Sequence, residues 1–210
     1  MQSAWSDDAA SAIIAELTER YPDRCNRDVA LRVYTSRLIG REPSLVLHGG
    51  GNTSVKTTLA DDLGDPCEVL CVKGSGWDLA AIDVPGLPAV RLAPLQALRR
   101  LDALGDAAMV NAARTRLLDA SAPNPSVEVL LHAFLPHRYI DHSHADAILS
   151  LVDQPGAAEL AAAVFGARLA VVPYVMPGFA LAKLAAEVAE AHPDCEGLLL
   201  LQHGLFTFGA

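Results

Sequence analysis

Asp141-His142-Ser143-His144-Ala145-Asp146 is the stretch of this sequence whose residue types and spacing point most directly to chemistry. It follows Arg138-Tyr139-Ile140, an apolar and aromatic run that predicts a strand. Side chains two apart on a strand share a face, so His142 and His144 project together with Cα atoms roughly 6.5–7 Å apart. Both imidazoles then reach one metal ion at about 2.0–2.1 Å. A catalytic zinc site takes three protein ligands and leaves one position open. An isolated His-x-His is more often an exposed pair at a strand end. Glu128, His203 and the glycine-rich His48–Asn52 loop change the odds here.

His203 closes an apolar run and precedes Gly204, where the backbone can bend and a side chain can face a cleft. Alone it reads as a core histidine; with His142 and His144 it completes a three-histidine set with one coordination position free. Glu128 sits near the start of a helix expected to open at Asn124-Pro125-Ser126, with Asn as cap and Pro at the first helical position. An acid there commonly complements the helix dipole. Beside a metal, a partly buried carboxylate with a raised pKa is instead a general acid/base. His132 is four residues on, on the same face, and reads as a satisfied structural histidine or hydrogen-bond partner. His137 and His192 read as helix-end residues.

Two loops suggest an anion site. Gly49-Gly50-Gly51-Asn52 can turn backbone N–H groups toward a phosphate, with Asn52 and Ser54 adding donors, and Lys73-Gly74-Ser75-Gly76 offers a second nest with a cation. Either alone is equally a tight turn. No GxxxxGK[ST] is present, no GxGxxG opens a helix after a strand, and no GxSxG accompanies His48-Gly49-Gly50-Gly51. P-loop, dinucleotide-fold and serine-esterase readings therefore fail.

The elements that must position these groups are a mixture. Helices are expected at Asp7–Tyr21 with Asp7 or Asp8 as cap, Asp28–Leu38, Leu95–Leu104, Asp106–Asp119, Ala157–Phe165 and Ala180–His192. Strands are expected at Ser44–Leu47, Thr53–Thr58, Glu68–Val72, around His142, at Leu169–Val175 and within Glu196–Phe208. The 210 residues suit one domain, with helices covering a sheet. A net charge of -9 with scattered basic residues argues against nucleic acid as a partner. Four cysteines without CxxC suggest buried reduced thiols. No apolar run long enough to span a membrane and no signal-peptide pattern at Met1–Asp8 make the cytoplasm the expected compartment.

The ordered set Gly51-Asn52-Thr53-Ser54, Ser75-Gly76, Ser126-Val127-Glu128, His142-Ser143-His144 and Gln202-His203-Gly204 resembles the class II aldolase/adducin superfamily over roughly residues 28 to 210. Within it, Pro125–Glu128, Asp141–Asp146 and Lys73–Asp78 are most similar to the aldolase half of bifunctional rhamnulose-1-phosphate aldolase/short-chain dehydrogenase proteins. The resemblance implies an α/β fold, a three-layer α/β/α sandwich with a largely antiparallel central sheet. It implies a homotetramer with active sites near subunit interfaces, and a zinc ion (or another divalent metal) held by His142, His144 and His203. Glu128 would be the acid/base, and Asn52, Ser75, Gly76 and Ser126 would bind phosphate, joined by Lys73 through proximity. The implied reaction cleaves a deoxy-ketose 1-phosphate of the rhamnulose or fuculose type, zinc stabilising the enediolate while Glu128 moves a proton. No lysine Schiff base is needed.

Family members usually continue into a C-terminal helix, so the resemblance also implies a longer parent protein. Typical short aldolases have a second Ser at Val127 and Thr-Gly at Ser75-Gly76, which leaves the sugar's length and stereochemistry open. A pentulose-phosphate 4-epimerase, a methylthioribulose-phosphate dehydratase and a non-catalytic adducin-like head share the fold. The epimerase branch carries Asp where this chain has Glu128, and a scaffold has no use for three metal ligands.

Overall fold

The computed structural model describes residues 2–209; Met1 and Ala210, the outermost residues of the one-domain expectation, lie outside the described residues. Seven strands form one sheet in the order β3-β2-β1-β4-β7-β6-β5: β1 (Asn52–Ala60), β2 (Pro66–Val72), β3 (Ala89–Arg91), β4 (Tyr139–Ser143), β5 (Leu169–Val172), β6 (Gly197–Leu200) and β7 (Gly204–Gly209). Every neighbouring pair is antiparallel except β5 with β6. The largely antiparallel sandwich expected from the resemblance is what the chain forms.

Side-chain alternation splits the sheet between two apolar layers. On one face Leu70, Val72, Ile140, Leu198, Leu200 and Phe206 pack beneath α3 (Leu92–Gln96), α4 (Asp106–Arg114), α5 (Val129–Phe134) and α8 (Phe179–Ala191). On the other, Val55, Val69 and Cys71 meet α1 (Asp7–Arg20) and α2 (Arg27–Gly40). Leu199 on that face meets α6 (Asp146–Val152) and α7 (Ala157–Phe165). Each fully buried large apolar side chain contributes about 1.5–3 kcal/mol, which is what holds the layers together.

Several local expectations yield to long-range partners. Ser6, not Asp7 or Asp8, caps α1, accepting from the Ala9 N–H at 3.3 Å. Ser44–Leu47 is a turn rather than a strand: the Leu45 N–H bonds Glu42 O at 2.9 Å, and Leu45 O accepts from the His144 N–H at 3.0 Å. The helix expected from Pro125 begins only at Val129. Gly74 and Pro125 form an antiparallel bridge instead, with Ser126 N–H on Lys73 O (2.9 Å) and Ser75 N–H on Asn124 O (2.7 Å).

The Asp106–Asp119 helix stops at Arg114 because the following residues run along β3, Arg91 N–H donating to Arg116 O and Leu118 N–H to Ala89 O. The Leu95–Leu104 helix is the short α3 continued by a 3-10 turn at Ala97–Arg100. The strand expected at Leu169–Val175 ends at Val172. Short β3 and α6 are elements the periodicity did not announce.

Candidate metal centre

The site lies where the ends of β1, β4 and the β6–β7 turn converge. Register sets Asn52 of β1 opposite His142 of β4, and His142 opposite Phe206 of β7. His142 and His144 share a face as the spacing requires. His203 stands not at a strand end but in the three-residue turn between β6 and β7. Gln202 just before it has φ +55°, a left-handed conformation uncommon outside glycine that turns the chain and aims the next side chain.

The three imidazoles converge: their ligand nitrogens all lie within 4.8 Å of one another. His142 Nε2 is 2.9 Å from His144 Nε2. His142 Nδ1–H donates to Leu205 O at 3.1 Å, which leaves the Nε2 lone pair pointing at the cluster, the tautomer a metal ligand needs. Burial and neighbouring His144 push the His142 pKa down to about 3. Burial lowers His203 to about 4 despite the pull of Glu128 in the opposite direction. At neutral pH both rings are uncharged donors.

Glu128, buried beside them, places Oε2 3.4 Å from His142 Nε2 and Oε1 3.2 Å from His203 Nε2, the latter without hydrogen-bond geometry. Burial raises its pKa, against the lowering effects of His203 and of the Asn52 hydrogen bond. Two ring nitrogens 2.9 Å apart and a buried carboxylate oxygen lacking a donor form a set that a divalent cation satisfies. The cluster fits such an ion.

A cleft of about 240 Å³ opens over this cluster. It brings together Asn52, Lys73, Ser75, Gly76, Ser126, Glu128, His142, His144 and His203, and adds Pro177; Ser54, expected as a further anion donor, is instead buried with its hydroxyl 2.7 Å from His132 Nδ1. Lys73 holds a position that proximity did not foretell. It is buried, and its ammonium donates to Gly49 O (2.6 Å) and Gly51 O (3.0 Å), so it braces the glycine loop and keeps one proton free. Burial lowers its pKa, opposed by Asp78 and Glu128. A larger hollow of about 390 Å³ lies between Asp23, Asp61 and Asp119, away from the histidines; Asp61 is taken up by a turn, and Asp119 by a turn and by Arg24.

Sequence reasoning missed Arg32. It lies in the apolar face of α2, 1% exposed, paired with Asp141 at 2.7 Å and donating to Ser54 O at 3.3 Å. It thereby ties α2 to the strand pair that carries Asn52 and His142. A charged residue interrupting Val29, Ala30 and Val33 was the available signal.

Gly204 gives a direct test of the packing. A Cβ there would sit 2.5 Å from Ser143 O, 3.1 Å from His144 Cδ2 and 3.2 Å from His142 Cε1. The backbone contact cannot yield, so Gly204→Ala must push β7 away from two of the rings. Zinc titration of this variant is expected to show affinity lower by roughly 10–100-fold, the range for disturbed ligand support. Unchanged affinity would mean that the rings are not held by this contact.

Fold and site together define an α/β sandwich with a three-histidine cluster that fits a divalent metal ion. Residues 30–210 match the family described as the Class II Aldolase and Adducin N-terminal domain, and the chain belongs to that family. It is 42% identical over 177 residues to YuxG of Bacillus subtilis, described as an uncharacterized oxidoreductase; the match covers 84% of this chain and 26% of that protein. The N-terminal class II aldolase domain of a conserved Thermoplasma acidophilum protein superposes with TM-score 0.84 at 41% identity, over 100% of this chain and 89% of that one. A sugar-phosphate aldolase from Thermotoga maritima shares the fold, with TM-score 0.63 and 15% identity over 87% of this chain and 84% of its own. Among the described residues no helix is long and apolar enough to cross a membrane.

Proposed function

We propose that this chain is a metal-dependent aldolase domain that cleaves a deoxy-ketose 1-phosphate, of the rhamnulose or fuculose type, to dihydroxyacetone phosphate and an aldehyde. The observation that carries the reading is the buried Glu128 carboxylate set 3.2–3.4 Å from the ring nitrogens of His203 and His142, at the floor of a cleft walled by two glycine loops. Family membership and the Thermotoga maritima aldolase's shared fold support it.

A divalent cation held by His142, His144 and His203, zinc by ligand type, supplies positive charge against the negative charge that develops on substrate oxygens. Glu128 delivers a proton to the carbon released when the C3–C4 bond breaks, and removes it in the reverse direction. Asn52 fixes the carboxylate, donating to Oε2 at 2.6 Å. The N–H groups of Gly49, Gly51 and Gly76, with the Ser75 and Ser126 hydroxyls, bind the phosphate, and Lys73 holds the first turn in shape. In this reading the working unit is a homotetramer.

The test is cleavage of rhamnulose 1-phosphate and fuculose 1-phosphate by the zinc-loaded chain, with dihydroxyacetone phosphate followed by a coupled NADH assay. Equal release of triose phosphate and aldehyde is expected. Loss of the ketose phosphate without triose phosphate would instead mean dehydration or epimerisation.

A further inference from the structure

Behind Glu128 runs a chain of buried polar groups that the proposed reaction does not itself call for. His132, on α5, is fully buried under the edge of Phe206. Its Nδ1 lies 2.7 Å from Ser54 Oγ and its Nε2 meets Asn52 Oδ1. Asn52 Nδ2 reaches Glu128 Oε2 at 2.6 Å and Ser126 Oγ at 3.1 Å. Ser54 and Asn52 alternate on β1, so the strand itself sets their spacing.

With the Glu128 carboxylate ionised, proton counting allows one arrangement. Burial holds His132 well below its ordinary pKa, so the ring is neutral and carries a single N–H. If that proton were on Nδ1, the bare Nε2 would face the Asn52 carbonyl oxygen, acceptor against acceptor. Rotating the amide to relieve this would turn Asn52 Oδ1 toward the Glu128 carboxylate, again acceptor against acceptor. Both conflicts vanish when Ser54 Oγ–H donates to Nδ1 and Nε2–H donates to Asn52 Oδ1. Both amide protons of Asn52 are then spent on Ser126 and Glu128. Ser126 Oγ, already accepting from Asn52 and from the Glu128 N–H at 3.3 Å, has its own proton left to donate into the cleft.

We propose that Ser54 and His132 are positioning residues: they lock the Asn52 amide in one orientation, and through it the Glu128 carboxylate and the free Ser126 proton. This rests on the aldolase reading for its kinetic consequences but not for its tautomer.

Two measurements separate these. Nitrogen-15 NMR of the ring-labelled, metal-free chain is expected to show His132 as a neutral imidazole protonated on Nε2; a proton on Nδ1, or an imidazolium, overturns the proposal whatever the reaction proves to be. In steady-state cleavage, Ser54→Ala and His132→Phe are expected to lower kcat by roughly 10–100-fold, as loss of groups that orient a site does. KM should change little, and zinc content should stay at the parent's value. His132→Gln, whose amide can still donate to Asn52 Oδ1, is expected to recover most of the loss. Parent-like kcat in both Ser54→Ala and His132→Phe, or equal loss in His132→Gln and His132→Phe with the fold retained by circular dichroism, overturns the proposal. If the unsubstituted chain cleaves neither sugar phosphate, the aldolase reading fails while the NMR result still decides the orientation of the network.

Discussion

Saturated with zinc and desalted, the chain is expected to retain roughly one ion, as an open three-ligand site does, and its His142→Ala variant none. The geometry makes His142 the decisive ligand. Its Nε2 lies 2.9 Å from His144 Nε2 and 3.4 Å from Glu128 Oε2, and its ring is fixed by Leu205 O and stacked on Phe206. Truncation leaves two histidines with no group to hold their separation. Binding should also appear as stability, because an ion that binds only the folded chain stabilises it by mass action. Free zinc at about 100 times Kd contributes about 2.7 kcal/mol. For a chain of this length that is a rise in Tm of roughly 5–10 °C.

The rise should vanish with chelator and be absent in His142→Ala. Because His142 is itself buried, His144→Ala, at a partly exposed position, serves as the second variant if the first folds poorly. Full metal content in both variants would sink the three-histidine site; so would a parent chain that takes up no zinc.

What was legible beforehand follows from the range of each signal. Period-two alternation placed His142 and His144 on one face, because that relation is local to one strand. The helix drawn from Pro125 had every local mark of a helix start, and failed because Gly74 pairs with Pro125 across the chain. That pairing delays α5 to Val129 and leaves Glu128 as its cap residue, in the turn that points it at the histidines. A nest beside a lysine suggests a phosphate cation at Lys73. Its ties to Gly49 and Gly51 cross more than twenty positions and leave no mark in the local pattern. Type and position make His132 a satisfied structural histidine or a hydrogen-bond partner, and it is hydrogen-bonded, although the identity of Ser54 and Asn52 as its partners required the sheet. Composition and alternation thus gave the layers, and the loop-to-loop pairings that shape the cleft needed three dimensions.

The second large effect concerns Glu128, and its sign differs between rate and stability. Glu128→Gln keeps the side chain's shape and an oxygen that still accepts from Asn52, so the zinc content is expected to match the parent's. The amide cannot carry the proton, and cleavage should slow by about 10²–10⁴-fold, the usual worth of a general acid/base. In the metal-free chain the substitution works the other way. Burial raises the carboxyl's pKa, so its ionised form is disfavoured in the fold. A carboxyl raised in this way supports the fold fully below the ordinary carboxylate pKa, and that support is lost as pH rises through the elevated value. The amide carries no such loss. Metal-free Glu128→Gln should therefore melt at or above the parent's temperature at neutral pH, with the difference shrinking as the pH falls below the carboxylate range. Loss of zinc along with activity would make Glu128 a ligand rather than a proton carrier, and parent-like activity would move the acid/base role elsewhere. Slow turnover, intact zinc and a metal-free fold no weaker than the parent's together fit a buried carboxylate kept in place for proton transfer at a cost in stability.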